Sequence, residues 1–348
     1  MMIVFAMAAA VWGIGMAMGA PTRQRWAMVG ALMAMVVIIQ LVLPDGHPLR
    51  EATGGDIRVW LLLAALFGIV SAYRVVLRRV REKANSATQQ VQSAKFSDSE
   101  LERYGRHIVL REIGGPGQKA LKNAKVLVVG AGGPGSPALQ YLGAGGVGTI
   151  GVIDDDVVEN TNLQRQVIHL DSAIGTPKVQ SAADMMRAQN PFVNVQTYHR
   201  RLSEEIAKEL IDDFDLVLDG TDNFETRYLV NKTCAQLAKP LIAAALSQWE
   251  GQISVYDPAN GTPCYACVFP NAPDPTLAPR CAEAGGIGPL PGVMGSMMAV
   301  EAIKVLTNAG ETLKGRMMIF DALYAQSRVI KISANPACSI CHPQGAQS

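Results

Sequence analysis

The first charged side chain in this sequence is Arg23; the 22 residues before it carry none. A second charge-free run of 19 residues extends from Trp26 to Pro44. A third, Val59–Tyr73, is 15 long and reaches 19 if Arg74 snorkels and the run continues to Leu77. A helix crossing about 30 Å of hydrocarbon needs about 20 apolar residues. The runs therefore predict three transmembrane helices, at about 2–20, 26–44 and 59–77, because one soluble core does not bury three such helices within 80 residues. A cleaved signal peptide opens with positive charge, and Met1–Ala10 has no Lys or Arg. Eight of the 15 methionines fall within the first 36 residues and add flexible apolar bulk to the first two runs.

The flanking charges set an expected orientation. The first connection carries Arg23 and Arg25 and no acid, whereas the second mixes Arg50 and Arg58 with Asp45, Glu51 and Asp56. At and beyond the third run stand Arg74, Arg78, Arg79, Arg81 and Lys83. Loops rich in Lys and Arg stay on the cytoplasmic side, so the N-terminus is expected outside and everything after residue 77 inside. The expected location is the inner (cytoplasmic) membrane, with 1–83 as a membrane segment and 84–96 as a flexible linker. The chain's net charge of +1 conceals this division: residues 1–83 carry nine Lys/Arg and four Asp/Glu, and the remainder 22 and 26. The chain as a whole lacks the basic excess of a nucleic-acid binder. Six cysteines are too few for a disulfide scaffold.

From Phe96 the pattern alternates strands and helices. Ser97 and Glu100 form a capping-box pattern ahead of Leu101. Lys125–Gly130 (KVLVVG) is an unbroken β-branched run, as in a buried parallel strand. The loop Gly130-Ala-Gly132-Gly133-Pro134-Gly135 follows, then a helical stretch, then the strand Thr149–Asp154. In such a βαβ unit, glycines let the backbone approach a phosphate chain at a helix N-terminus. Asp154, ending the second strand, is placed to accept hydrogen bonds from ribose hydroxyls. A further strand, Asp215–Asp219, ends in Gly220-Thr221-Asp222-Asn223. Carboxyl ends of strands line the site of a doubly wound sheet, which puts Asp222 where it could hold Mg²⁺. A dinucleotide dehydrogenase is the default for the loop, but the charged groups that follow suit nucleotidyl transfer, where cations neutralise a triphosphate.

Two CxxC pairs, Cys264/Cys267 and Cys338/Cys341, place two thiolates each on a tight turn, the pattern of a structural tetrahedral Cys₄ zinc site. Cys234 reads as a buried helix residue.

The stretches GAGGPGSP (130–137), IDDDVVENTNLQRQ (153–166), GTPK (175–178) and DGTDN (219–223), with RYGRH (103–107) upstream, resemble the E1-like adenylating enzymes of the ThiF/MoeB/HesA group. The likeness covers about 97–342, leaving 343–348 as a tail and the membrane segment without a counterpart. It departs from the family's pattern at Pro134, where Leu is usual, and at Thr161, where Ser is usual. It implies a Rossmann-like, doubly wound, mostly parallel α/β sheet. The implied reaction is attack by the C-terminal glycine carboxylate of a ubiquitin-like sulfur carrier, ending in Gly-Gly, on MgATP to give an acyl-adenylate and pyrophosphate. By the same resemblance Gly130, Gly132, Gly133 and Gly135 form the phosphate loop and Asp154 is the ribose ligand. Arg165 and Lys178 are the phosphate-binding cations, with Asn162 beside them, and Asp222 is the essential aspartate near the metal. Arg106 resembles an arginine donated to the opposite subunit, which implies a homodimer. Cys281 falls where relatives keep a cysteine on a crossover loop, in some of them bonded covalently to the carrier or carrying a persulfide; both roles stay open.

The stretches Glu250–Ile253 and Cys281–Gly288 and the helix Gly292–Leu306 lie closer to the molybdopterin-synthase type, whose carrier is the small subunit of that synthase. The thiamine-pathway type is the alternative. A NAD-dependent oxidoreductase and a catalytically dead binding module are the readings from other classes. The chain ends seven residues after Cys341, so no rhodanese domain is expected and sulfur comes from a separate donor.

Overall fold

The structure, a computed structural model, describes residues 2–18, 22–44, 46–54, 56, 58, 60, 62, 73, 95–272 and 285–342. The chain divides into two compact units, Met1–Gln92 and Ser93–Ser348.

In the first unit α1 (Met2–Ala17) and α2 (Thr22–Val42) pair antiparallel, and α3 (Pro48–Thr53) follows. Val4 meets Val36 and Trp60 in a small apolar cluster. The Trp12 and Trp26 rings pack edge to face with centroids 4.9 Å apart, and the Arg25 guanidinium lies over Trp12. Gln40, buried on α2, donates through its amide nitrogen to the Arg50 carbonyl and to Thr53 Oγ1, which ties α2 to α3. The span 24–42 is long and apolar enough to cross a membrane, whereas the apolar helix of α1 is shorter. Most of the expected third span (59–77) and of the linker (84–96) lies outside the described residues, so the described residues do not contain three clear spans.

The second unit is built on one eight-stranded sheet in the order β3-β2-β1-β4-β5-β6-β7-β8. Its strands are β1 (Lys125–Val129), β2 (Thr149–Ile153), β3 (Asn194–Tyr198), β4 (Leu216–Asp219), β5 (Leu241–Leu246), β6 (Glu250–Tyr256), β7 (Arg316–Asp321) and β8 (Gln326–Lys331). The first five run parallel and the last three antiparallel. Side chains alternate along each strand, so β1 sends Val126 and Val128 into one core and Leu127 and Val129 into the other. The first core packs under α5 (Gly114–Asn123), α6 (Gly135–Gly145), α7 (Lys178–Gln189) and α11 (Pro289–Thr307). The second packs under α8 (Glu204–Asp212), α9 (Phe224–Gln236) and the short α10 (Tyr265–Val268). α11 is also long and apolar enough to cross a membrane. It lies instead in the core, with Met294, Met298 and Ala302 fully buried.

α4 (Asp98–Ile108) opens with the expected capping box: Ser97 Oγ accepts the Glu100 N–H and the Glu100 carboxylate accepts the Ser97 N–H. Lys122 reaches the same carboxylate at 2.8 Å.

Strand order reverses between β1 and β4, and there backbone segments approach one another closely. Gly130 has φ +91°, and a Cβ on Gly135 would stand 1.9 Å from the Gly130 carbonyl oxygen. A Cβ on Gly220 would stand 2.9 Å from the Gly135 nitrogen. Overpacking of this kind costs about 1–3 kcal/mol where neighbours can shift, and here the neighbour is backbone. Gly135→Ala is expected to destabilise the second unit by at least about 1–3 kcal/mol, read as a lowered unfolding midpoint in denaturant.

Candidate nucleotide site

Three turns meet at the carboxyl ends of β2, β1 and β4. The glycine loop leaves β1, turns at Gly130 and enters α6 at Gly135. Pro134, which has no N–H to offer, caps that helix. Asp154 at the end of β2 closes the second turn: its Oδ1 accepts the Asp156 N–H and its Oδ2 the Ala131 N–H, both at 2.8 Å. The expected ribose ligand thus also ties the glycine loop to β2. Burial pushes its carboxyl above the usual carboxylate range, against the pull of Lys178 and the two N–H donors. The third turn, Asp219–Asn223, lies against the first, since a Cβ on Gly130 would meet Thr221 Cγ2 at 3.2 Å.

Lys178 is the first residue of α7, and its side chain is buried. Its Nζ holds Asp156 Oδ2 at 2.7 Å, and its N–H bonds the Asp156 carbonyl. The segment between them runs through the short turn Asn160–Asn162 and back, with Val157 bridged to Pro177. Asn162 is buried and its Oδ1 accepts the Glu159 N–H at 3.2 Å, which shapes the turn. Arg165 is half-buried and donates to the Thr161 carbonyl. The structure therefore sets Gly130, Gly132, Gly133, Gly135, Asp154 and Asp222 at the carboxyl ends of β1, β2 and β4, with Lys178 tied to the Asp154 turn through Asp156 and the segment of Asn162 and Arg165 laid against the loop through Gln166. Asp222 is exposed on the β4–α9 turn.

Arg106 does not join them within this chain. It is exposed on α4, whose neighbouring His107 contacts Gln118 and approaches Gly145 at the far end of α6. An eleven-residue helix spans about 16 Å, which separates that end from the glycine loop. Cys281 lies outside the described residues.

Sequence reasoning missed the buried groups behind the site. Asp219 is fully buried at the end of β4, and its Oδ1 accepts the N–H and hydroxyl of Thr221. Its other oxygen faces Arg227 Nε at 3.7 Å. Arg227, itself 4% exposed, donates to the carbonyls of Thr221 and Ala244 and so pins the Asp222 turn to β5. His169 bonds the glycine loop through the Ala131 carbonyl. The available signal was spacing: Asn223, Arg227 and Asn231 stand four apart on one helix, and a polar stripe of that kind usually faces water.

The four cysteines Cys264, Cys267, Cys338 and Cys341 converge, with Sγ atoms within 4.8 Å of one another. Three of the spacings are 3.8, 3.6 and 3.3 Å. Four thiolates at about 2.3 Å from a tetrahedral zinc stand about 3.8 Å apart, so the donor set fits zinc. Asn231 Nδ2 lies 3.7 Å from Cys264 Sγ, and its Oδ1 accepts the Tyr265 N–H, an outer bond that orients the ligand turn. Cys234 is buried in α9, and burial pushes its thiol well up, which keeps it inert.

The ThiF family matches residues 104–340. The chain belongs to the ThiF family. It is 46% identical over 257 residues to the sulfur carrier protein adenylyltransferase of Thermus thermophilus, covering 73% of this chain and 95% of that protein. It is 45% identical over 250 residues to the SAMP-activating enzyme E1 of Haloferax volcanii, covering 72% of this chain and 92% of that one. Among solved structures, E. coli MccB with ATP superposes with a TM-score of 0.61 at 24% identity, over 70% of this chain and 75% of that one; this likeness concerns the fold. The ThiF-family chain is a nucleotidyltransferase, which sets the dehydrogenase reading aside.

Removal of the metal tests the cysteine cluster. Purified protein is expected to hold one zinc per chain by atomic absorption. Cys338→Ser is expected to lower zinc content and loosen the segment after β8, read as faster proteolysis there.

Proposed function

We propose that this ThiF-family chain adenylates the C-terminal glycine of a ubiquitin-like sulfur-carrier protein, and that the carrier is the small subunit of molybdopterin synthase. What carries the reading is the convergence of a glycine loop, a strand-end aspartate and two basic residues at the carboxyl ends of the central strands. That arrangement suits a triphosphate rather than a hydride donor. Its relatives named for sulfur-carrier adenylation and SAMP activation point to the same substrate class.

In this reading the glycine loop and the N-terminus of α6 cradle phosphate through backbone N–H groups. Asp154 turns toward the ribose. Lys178 and Arg165 balance the charge that develops as a carrier carboxylate oxygen bonds to the α-phosphorus and the bond to the leaving pyrophosphate breaks. Asp222 would hold the Mg²⁺ that neutralises the departing phosphates. Arg106, a helix length away in its own chain, would serve a second copy, so the working unit is a homodimer. The zinc cluster has all four positions filled by cysteine and would staple the C-terminal segment rather than activate water. Sulfur would come from a separate donor, and Cys281 is the candidate for any covalent step with the carrier. The N-terminal unit would tether the enzyme to the cytoplasmic face of the inner membrane.

Pyrophosphate exchange tests the proposal. Protein, ATP, labelled pyrophosphate and the molybdopterin-synthase carrier are expected to regenerate labelled ATP. Exchange with the thiamine-pathway carrier instead would reassign the substrate. Asp222→Ala should lower exchange by about 10²–10³-fold. Mixing Arg106→Ala with Asp222→Ala subunits should restore about one quarter of wild-type exchange, since half the dimers are mixed and each has one complete site. A chain truncated to begin at residue 84 is expected to lose membrane association and keep exchange activity, measured on separated membrane and soluble fractions.

A further inference from the structure

The Ala131 peptide groups, on the glycine loop, are gripped from both sides. Asp154 takes the N–H, and His169 Nε2 lies 3.0 Å from the carbonyl oxygen. The other ring nitrogen, Nδ1, lies 3.0 Å from Ser181 Oγ, and the imidazole is 5% exposed. A carbonyl oxygen only accepts, so the ring proton sits on Nε2 and the Ser181 hydroxyl donates to Nδ1. Burial pushes the imidazole below its ordinary range; the Ala131 carbonyl opposes this and the Lys178 charge adds to it. Both nitrogens are spent inside the protein, so His169 has neither a proton nor a lone pair for a substrate.

Its position gives it a different use. His169 follows Arg165 by four residues, on a segment sutured to α6 by the Ile168 N–H on Ser136 Oγ at 2.9 Å. Ser181 stands one turn after Lys178 on α7. Ala131 is the second residue of the glycine loop, and the Gln166 amide lies against Gly132 in the same loop. The three segments that carry the phosphate-facing groups therefore meet at one imidazole. We infer that His169 is a positioning residue of the nucleotide site, holding the Arg165 segment and the start of α7 in register with the glycine loop. The inference rests on the reading of these segments as the ATP site.

The test uses the full chain in detergent with the exchange assay. His169→Phe keeps a ring and removes both hydrogen bonds, whereas His169→Gln keeps an amide donor within reach of Ala131. His169→Phe is expected to raise KM for ATP about 10–100-fold while KM for the carrier stays unchanged, and His169→Gln is expected to recover most of the loss. Thermal unfolding and zinc content report whether each variant is folded. If His169→Phe fails to fold, His169→Gln is compared with His169→Asn, whose shorter amide serves Ser181 and not Ala131. Nitrogen-15 NMR of the wild-type imidazole should show the neutral Nε2–H tautomer from about pH 6 to pH 8. A folded His169→Phe with unchanged KM for ATP, equal behaviour of the Gln and Asn variants, or a ring that titrates near its ordinary value of about 6.5 would overturn the assignment. Wild-type protein that neither binds ATP nor exchanges pyrophosphate would overturn the nucleotide reading itself, and the role of His169 with it.

Discussion

The catalytic unit depends on how closely two backbones can approach at the switch point between β1 and β4. The Gly130 carbonyl lies where a Cβ on Gly135 would be, and Gly220 lies where a Cβ would press the Gly135 nitrogen. Such contact needs residues without side chains at these positions, and it draws the β4 turn against the glycine loop. The helix start, the strand-end aspartate and the Asp222 turn share one small region because that contact is made. α11 reinforces it from the other side: a Cβ on Gly295 would stand 2.1 Å from the Pro134 carbonyl oxygen. An apolar helix of membrane-spanning length is thereby committed to the core beneath the loop.

Behind the site runs a second layer of buried polar groups. Arg227 and Asp219 form an ion pair shielded from water, and removing one partner of such a pair typically costs about 3–5 kcal/mol. The Arg227 guanidinium also lies over the Tyr265 ring, 5.7 Å from its centroid. Tyr265 stands between Cys264 and Cys267 and is bonded to Asn231, one turn along α9 from Arg227. One helix face therefore touches both the Asp222 turn and the cysteine cluster. Zinc that orders the cluster would also support the packing under Arg227.

Much of this was legible in the sequence, because some arguments need only local chemistry. The capping box at Ser97 and Glu100 is a four-residue pattern and forms as expected. β1 and β2 lie where the β-branched runs place them, since a strand buried on both faces tolerates no polar alternation. The CxxC pairs converge because two tight turns with soft ligands have few other uses. The helix expected over 292–306 begins earlier, at Pro289, whose fixed φ suits a first helical turn. What stayed hidden was polar and buried. Arg227 and Asn231 look like solvent-facing residues until the fold covers them, and His169 looks like one more polar residue in a loop.

The sequence by itself determined the division of charge, an apolar and cation-flanked N-terminal segment ahead of a slightly acidic α/β unit, and the motifs that resemble the ThiF family's nucleotide site. These follow from composition and from motifs whose chemistry is complete within a few residues. Tertiary structure alone decided that Asp154 holds the glycine loop as well as facing the site, and that Arg106 stands a helix length from the loop. It also decided that one imidazole joins the glycine loop, the segment after Arg165 and the first turn of α7. Each of these is a contact between residues tens of positions apart, and the geometry of such a contact exists only once the sheet is assembled.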